Sequence, residues 1–166
     1  MKHVVVSVVC LPLLFALGHP AAAQDSASVV GTWKVKDFSS VEVESKKTLR
    51  PFGEKPSGYY IFTDDGTFIA VVYNSERKAP AGAAPTDAER VELFRSMAVT
   101  TGRYAVAGTK VTIDIDGSLV QSPVGTKQVR EAKIAGNTME FVSPQISAPQ
   151  TGQQIVFTVT LERAKK

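Results

Sequence analysis

The chain has 166 residues, 43% of them hydrophobic and 21% charged, with a formal net charge of +3. That is enough for one domain with a real core, and the mild positive excess argues against a nucleic-acid partner. Cys10 is the only cysteine and His3 and His19 are the only histidines, so thiolate or imidazole metal sites, disulfides, cysteine nucleophiles and histidine-based triads are excluded from everything downstream.

All three of those residues fall in a segment that reads as a leader. Met1-Lys2-His3 is a short basic start, Val4–Leu17 is an apolar run, and Ala21-x-Ala23 fits the small-residue rule for signal peptidase. The expectation is a signal peptide over 1–23, a mature domain over 24–166, and a periplasmic or secreted product. Pro12 interrupts the run, which is shorter than a spanning helix needs, so no stable membrane insertion is expected after cleavage.

The first strand-like stretch is Val29–Phe38. Thr32, Lys34 and Lys36 alternate with Trp33, Val35 and Asp37, a period of two that places the only tryptophan on a buried face. Ser39–Glu44 alternates again and continues the strand past a bulge. Ser45–Ser57 holds two prolines and reads as an ordered loop. Gly58–Thr63 and Thr67–Tyr73 flank Asp64-Asp65-Gly66, a tight hairpin signal. Both arms are apolar on both faces, which suits strands covered by the core on one side and by the linker or a helix on the other.

After the loop Asn74–Pro85, Thr86-x-x-Glu89 has the form of a capping box. Ala88, Val91, Phe94 and Met97 or Ala98 follow at helical spacing, predicting one amphipathic helix over Asp87–Val99. The remainder alternates as strands: Thr101–Ala107, Lys110–Asp116, Gly125–Ile134, Thr138–Ser143 and Gln153–Arg163. The expected fold is all-β, an eight-stranded antiparallel up-and-down barrel with the helix between strands 3 and 4. A two-sheet sandwich fits the same strand pattern. An eight-stranded barrel has room for its own side chains or for one small ligand.

Several motifs in order resemble the bacterial and fungal lipocalin-like domain family. They are Gly31-Thr32-Trp33, Pro51-Phe52-Gly53-Glu54, Pro56, Gly58-Tyr59, Ile61, Thr63 with Asp65-Gly66, Gly102-Arg103-Tyr104, Gly125-Thr126, Gln128-Val129-Arg130 and Leu161-Glu162-Arg163. The resemblance spans the mature chain and implies a closed barrel with a central cavity that binds a small molecule. It also implies that Arg163 packs over Trp33 at the closed end, where a cation on an aromatic face is favourable. The chain departs from the pattern at Ile113, Asp114 and Ile115, where members often carry histidines, and at Thr100, where a tyrosine is common.

The candidate wall residues follow from phase. Arg130 and Gln128 alternate with Val129, and either set can face inward. If Arg130 faces the cavity it needs a carboxylate partner, with Asp37 in phase to provide it, or an anionic ligand. Tyr104, Tyr59, Phe62, Phe141 and Phe157 complete the ligand-binding set, and Trp33 and Arg163 are assigned to the floor. Asp114, Asp116 and Gly117 resemble the start of a calcium loop, but the later ligands are absent, so no metal and no cofactor are expected. The functional expectation is an exported protein holding a small apolar or amphipathic molecule. A barrel-type isomerase or cyclase and a filled-barrel interaction module are the competing readings.

Overall fold

The computed structural model describes residues 29–148 and 151–165. The expected signal segment and its cleavage site lie outside them. The strands are β1 (Gly31–Glu42), β2 (Thr48–Leu49), β3 (Pro56–Phe62), β4 (Thr67–Asn74), β5 (Met97–Ala107), β6 (Lys110–Ser118), β7 (Lys127–Ala135), β8 (Thr138–Val142), β9 (Ile146–Ser147) and β10 (Gln154–Arg163); one helix, α1 (Asp87–Arg95), separates β4 from β5.

The ladder runs β1-β3-β4-β5-β6-β7-β8-β10, antiparallel throughout, and β10 pairs back onto β1 from Trp33↔Arg163 to Glu42↔Ile155. That last pairing makes a closed barrel of eight strands rather than a sandwich, and it leaves no free edge among them. The expected linker over Ser45–Ser57 departs from a plain loop at both ends. Thr48–Leu49 forms β2 against β1, and Pro56 opens β3, a first-residue position where proline's missing N–H is tolerated. Because β2 enters the count, the helix falls after β4 instead of between strands 3 and 4.

The helix differs from expectation in two further ways. It begins where the capping box places it, with Thr86 Oγ1 accepting from Glu89 N–H at 3.3 Å and Glu89 Oε2 accepting from Thr86 N–H at 2.7 Å. It ends at Arg95, since Met97 and Ala98 already pair with Tyr73 and Val72 in β5. None of its residues is buried, and Val91 and Phe94 are more than two-fifths exposed. With the stripe's last members drawn into the sheet, too little apolar surface remains to seat the helix.

β1 is strongly irregular at one point. Its register against β10 slips between Val35↔Leu161 and Asp37↔Thr160, so Lys36 is the extra residue of a bulge, which reverses the inward phase beyond it. Trp33 and Val35 are buried before the bulge, whereas Ser40 is buried after it and Phe38 packs against the core.

The two ends of the barrel differ. The hairpins β3–β4, β5–β6 and β7–β8 gather at one end with residue 163, and the long connections gather at the other. At the closed end Trp33 is fully buried, its Nε1–H donates to Val29 O at 2.8 Å, and the Arg163 guanidinium carbon lies 4.0 Å from the ring centroid. Gly31 (φ +133°) makes room for this: a Cβ there would stand 3.0 Å from Arg163 Nη1. The arginine in turn donates to Val30 O at 2.8 Å.

The β3–β4 turn carries an acid-sensitive contact. The Thr63 hydroxyl donates to Asp65 at 2.5 Å and the Thr67 N–H donates at 3.0 Å, which holds the Asp65 carboxyl down from 3.8 to about 2. A carboxyl with a depressed folded-state pKa contributes stability above its unfolded pKa and loses it as pH falls through the folded one. The stability gap between wild type and Asp65→Asn is therefore expected to close between pH 3.8 and about 2. Urea midpoints measured across that range check this, and a gap that stays constant contradicts it.

Candidate functional site

The interior divides into a filled half and a hollow half. In the filled half Trp33, Met139 and Leu161 are fully enclosed, and a cluster of rings is buried with them. Phe62 meets Phe68 at 5.0 Å, Tyr104 at 5.1 Å and Phe141 at 5.9 Å, and Tyr60 meets Phe68 at 5.8 Å and Phe141 at 5.7 Å. These separations and mostly edge-to-face orientations are those of close-packed aromatics. This half of the barrel is occupied by its own side chains.

Above Tyr60 the barrel opens into a cavity of about 570 Å³. One wall is a row of aromatic groups. Phe52 stands edge-on to Phe38 at 4.8 Å, Phe38 stacks on Phe157 at 5.4 Å, and the Arg130 guanidinium carbon lies 4.9 Å from the Phe157 ring centroid. The opposite wall comes from Met97–Thr100 and Ile115, and the rim from residues 118–120, 122–123, 146–148 and 151–153. The short strands β2 and β9 extend β1 and β10 at this end and bring Leu49 and Ile146 to the rim. No residue of α1 lines the cavity, so the helix lies beside the opening and not across it.

Arg130 faces inward. Its neighbour in phase, Ala132, is fully buried, Arg130 is 6% exposed, and Val129 is 40% exposed on the outside. Its Nη1–H donates to Val129 O at 2.9 Å, and its Nη2–H donates to Gln128 Oε1. Burial pushes its pKa down from 12.5 to about 10, which leaves it cationic at neutral pH. Among the described residues Arg130 is the only charged one that lines the cavity, and no carboxylate forms an ion pair with it. Tyr60 lines the cavity below it, and burial raises the Tyr60 phenol above its ordinary pKa of 10.0.

The residues expected from sequence are distributed between the two halves. Arg130 and Phe157 line the cavity together. Phe62 and Phe141 belong to the packed layer beneath it. Tyr104 belongs there too, with its hydroxyl donating to Thr63 O at 2.7 Å, away from the cavity. Tyr59 points outward, 45% exposed beside Lys34. Asp37, expected to be the internal partner of Arg130, is turned out by the Lys36 bulge and pairs with Arg50, which also reaches Glu54 at 3.2 Å. The bulge likewise brings in Phe38 and Ser40, which strict alternation with Trp33 had placed outside. Tyr60 is in phase with Phe62, and that phase was the one local sign of its inward position.

No curated protein matches the chain. The model of the lipocalin-like domain matches residues 30–164, which covers every strand of the barrel together with its floor pair and its cavity. The chain belongs to the lipocalin-like domain family.

Proposed function

We propose that this protein is an exported carrier that holds a small, mainly apolar molecule in the open half of its barrel. One observation carries the reading: a cavity of about 570 Å³ walled by Phe38, Phe52, Phe157, Met97 and Ile115. Its size falls within the roughly 300–1,000 Å³ of small-molecule sites, which are largely apolar with a few polar groups. The lipocalin-like fold supports binding of this kind, and the leader-like start supports export. Burial of the ring below and the hollow above give the ligand a fixed depth.

Binding is favoured over turnover by the ionisable groups at hand. General acid–base catalysis works best when the pKa lies near the working pH. Tyr60 is shifted up, away from neutrality, and Arg130 remains a cation. Neither is poised to exchange a proton with a substrate at pH 7.

Native mass spectrometry of the protein purified from its own host, followed by solvent extraction, tests the reading. The expected result is a co-purifying molecule, or else uptake of the neutral apolar dye N-phenyl-1-naphthylamine with a fluorescence rise. A protein that carries nothing and leaves the dye in water overturns it. Chemical conversion of the extracted molecule by the protein would move the cavity to an isomerase or cyclase.

A further inference from the structure

We infer that the ligand carries an anionic head, and that Arg130 is the group that receives it. The inference rests on the carrier reading and names the class of molecule carried: an apolar chain or ring system ending in a carboxylate or phosphate.

An isolated ion removed from water is costly unless it is paired. Arg130 is held by two neutral acceptors, Gln128 Oε1 and Val129 O, and by the face of Phe157. These orient the guanidinium without neutralising it. A guanidinium has five N–H donors, and the two hydrogen bonds use two of them. No described residue lining the cavity is acidic, and Asp37, the nearest candidate by sequence phase, is committed to Arg50 outside. Among the described residues the barrel therefore holds one fixed positive charge in a chamber of apolar and neutral polar side chains and supplies no counter-ion.

The setting suits a bound anion. The stack of Phe157 on Phe38 fixes the plane against which the guanidinium rests, so little ordering is left for a ligand to impose. Charge-assisted hydrogen bonds from arginine are about twice as strong as neutral ones and are geometrically selective for planar carboxylates and for phosphates. A neutral ligand would leave the charge unmatched, and a cationic one would meet repulsion at short range. The apolar body would lie against Phe38, Phe52 and Ile115 towards the rim.

The test uses four probes of matched length on the full mature protein, by isothermal titration calorimetry: decanoate, decyl phosphate, decan-1-ol and decylamine. Wild type is expected to bind at least one anion roughly 10-fold or more tighter than decan-1-ol, and decylamine most weakly. Whichever anion binds tighter identifies the head. Arg130→Gln is expected to lower anion affinity by about 10- to 100-fold while leaving decan-1-ol within about threefold. The decanoate preference should fade as pH falls through the carboxylic acid's pKa, about 4 to 5.

Equal affinity for anion and alcohol, unchanged by Arg130→Gln, overturns the inference and leaves the carrier reading intact. Failure of all four probes and of the neutral dye to bind wild type overturns the carrier reading as well. If Arg130→Gln does not fold, the wild-type comparison of anion against alcohol and its pH dependence decide the matter on their own.

Discussion

Replacing Trp33 with alanine will destabilise the fold by about 3–5 kcal/mol, the cost typical of deleting a large buried aromatic. Against a total of roughly 5–15 kcal/mol for a domain, that is a large fraction. The effect has three parts. The indole is fully buried, its N–H satisfies Val29 O at 2.8 Å, and its face carries Arg163 at 4.0 Å. Truncation therefore opens a void, strands a carbonyl and removes the seat of the guanidinium. Urea unfolding should show the loss as a lower midpoint at unchanged m-value. Arg163→Met keeps an apolar stem over the ring and is expected to cost less, about 1–2 kcal/mol. The two groups touch, so the double variant should fall short of the sum of the singles. A loss below about 1 kcal/mol for Trp33→Ala would show that the floor is not part of the cooperative unit.

Ligand uptake separates this floor from the site. Trp33 does not line the cavity, whereas Tyr60, its partner across β1 and β3, does. Trp33 is the only tryptophan of the chain. Fully buried and apart from the cavity lining, Trp33 is a stability residue whose loss should not change which molecule the mouth accepts.

Much of the barrel was legible because it depends on local period. Val111, Ile113 and Ile115 alternate with polar residues and are all buried. The β3–β4 and β7–β8 turns sit where Asp-Gly and Gly-Asn mark them, with Gly66 at φ +85° and Gly136 at φ +58°. What escaped depends on relations between distant strands. Nothing in the composition of Lys34–Phe38 marks Lys36 as a bulge, because a bulge is a mismatch of register with β10. Asp37 was lost to the exterior, and Phe38 and Ser40 gained, for that one reason. The rim residues 118–120, 122–123, 146–148 and 151–153 lie mostly in loops and have no period to read. Whether Phe62 and Phe141 fill the interior or line a hollow depends on side-chain volumes summed across eight strands. No single strand contains that information.

Phe141 is where the filled half meets the hollow half, and its replacement has the second large expected effect. The ring is 1% exposed, sits edge-on to Tyr60 at 5.7 Å and to Phe62 at 5.9 Å, and pairs across the sheet with Ala132 and Val159. Phe141→Ala is expected to cost about 3–5 kcal/mol, more of it the less the neighbours collapse. Ala132 is already the smallest residue beside it and cannot move in to fill the gap. The vacated volume adjoins Tyr60, which lines the cavity, so it should join the cavity and deepen it. The wild-type protein should accept apolar chains up to a set length and then lose affinity, because the ring layer stops them. In Phe141→Ala that limit should move to longer chains. A chain that fits the deepened cavity should restore part of the lost stability by mass action, in proportion to the logarithm of its concentration over Kd. Thermal unfolding with an acid series of increasing length measures both effects in one experiment. Destabilisation with no change in length preference would mean that the void collapses and that the ring layer is not the boundary of the site. A shifted length limit would place the floor of the binding cavity at Phe141 and Tyr60.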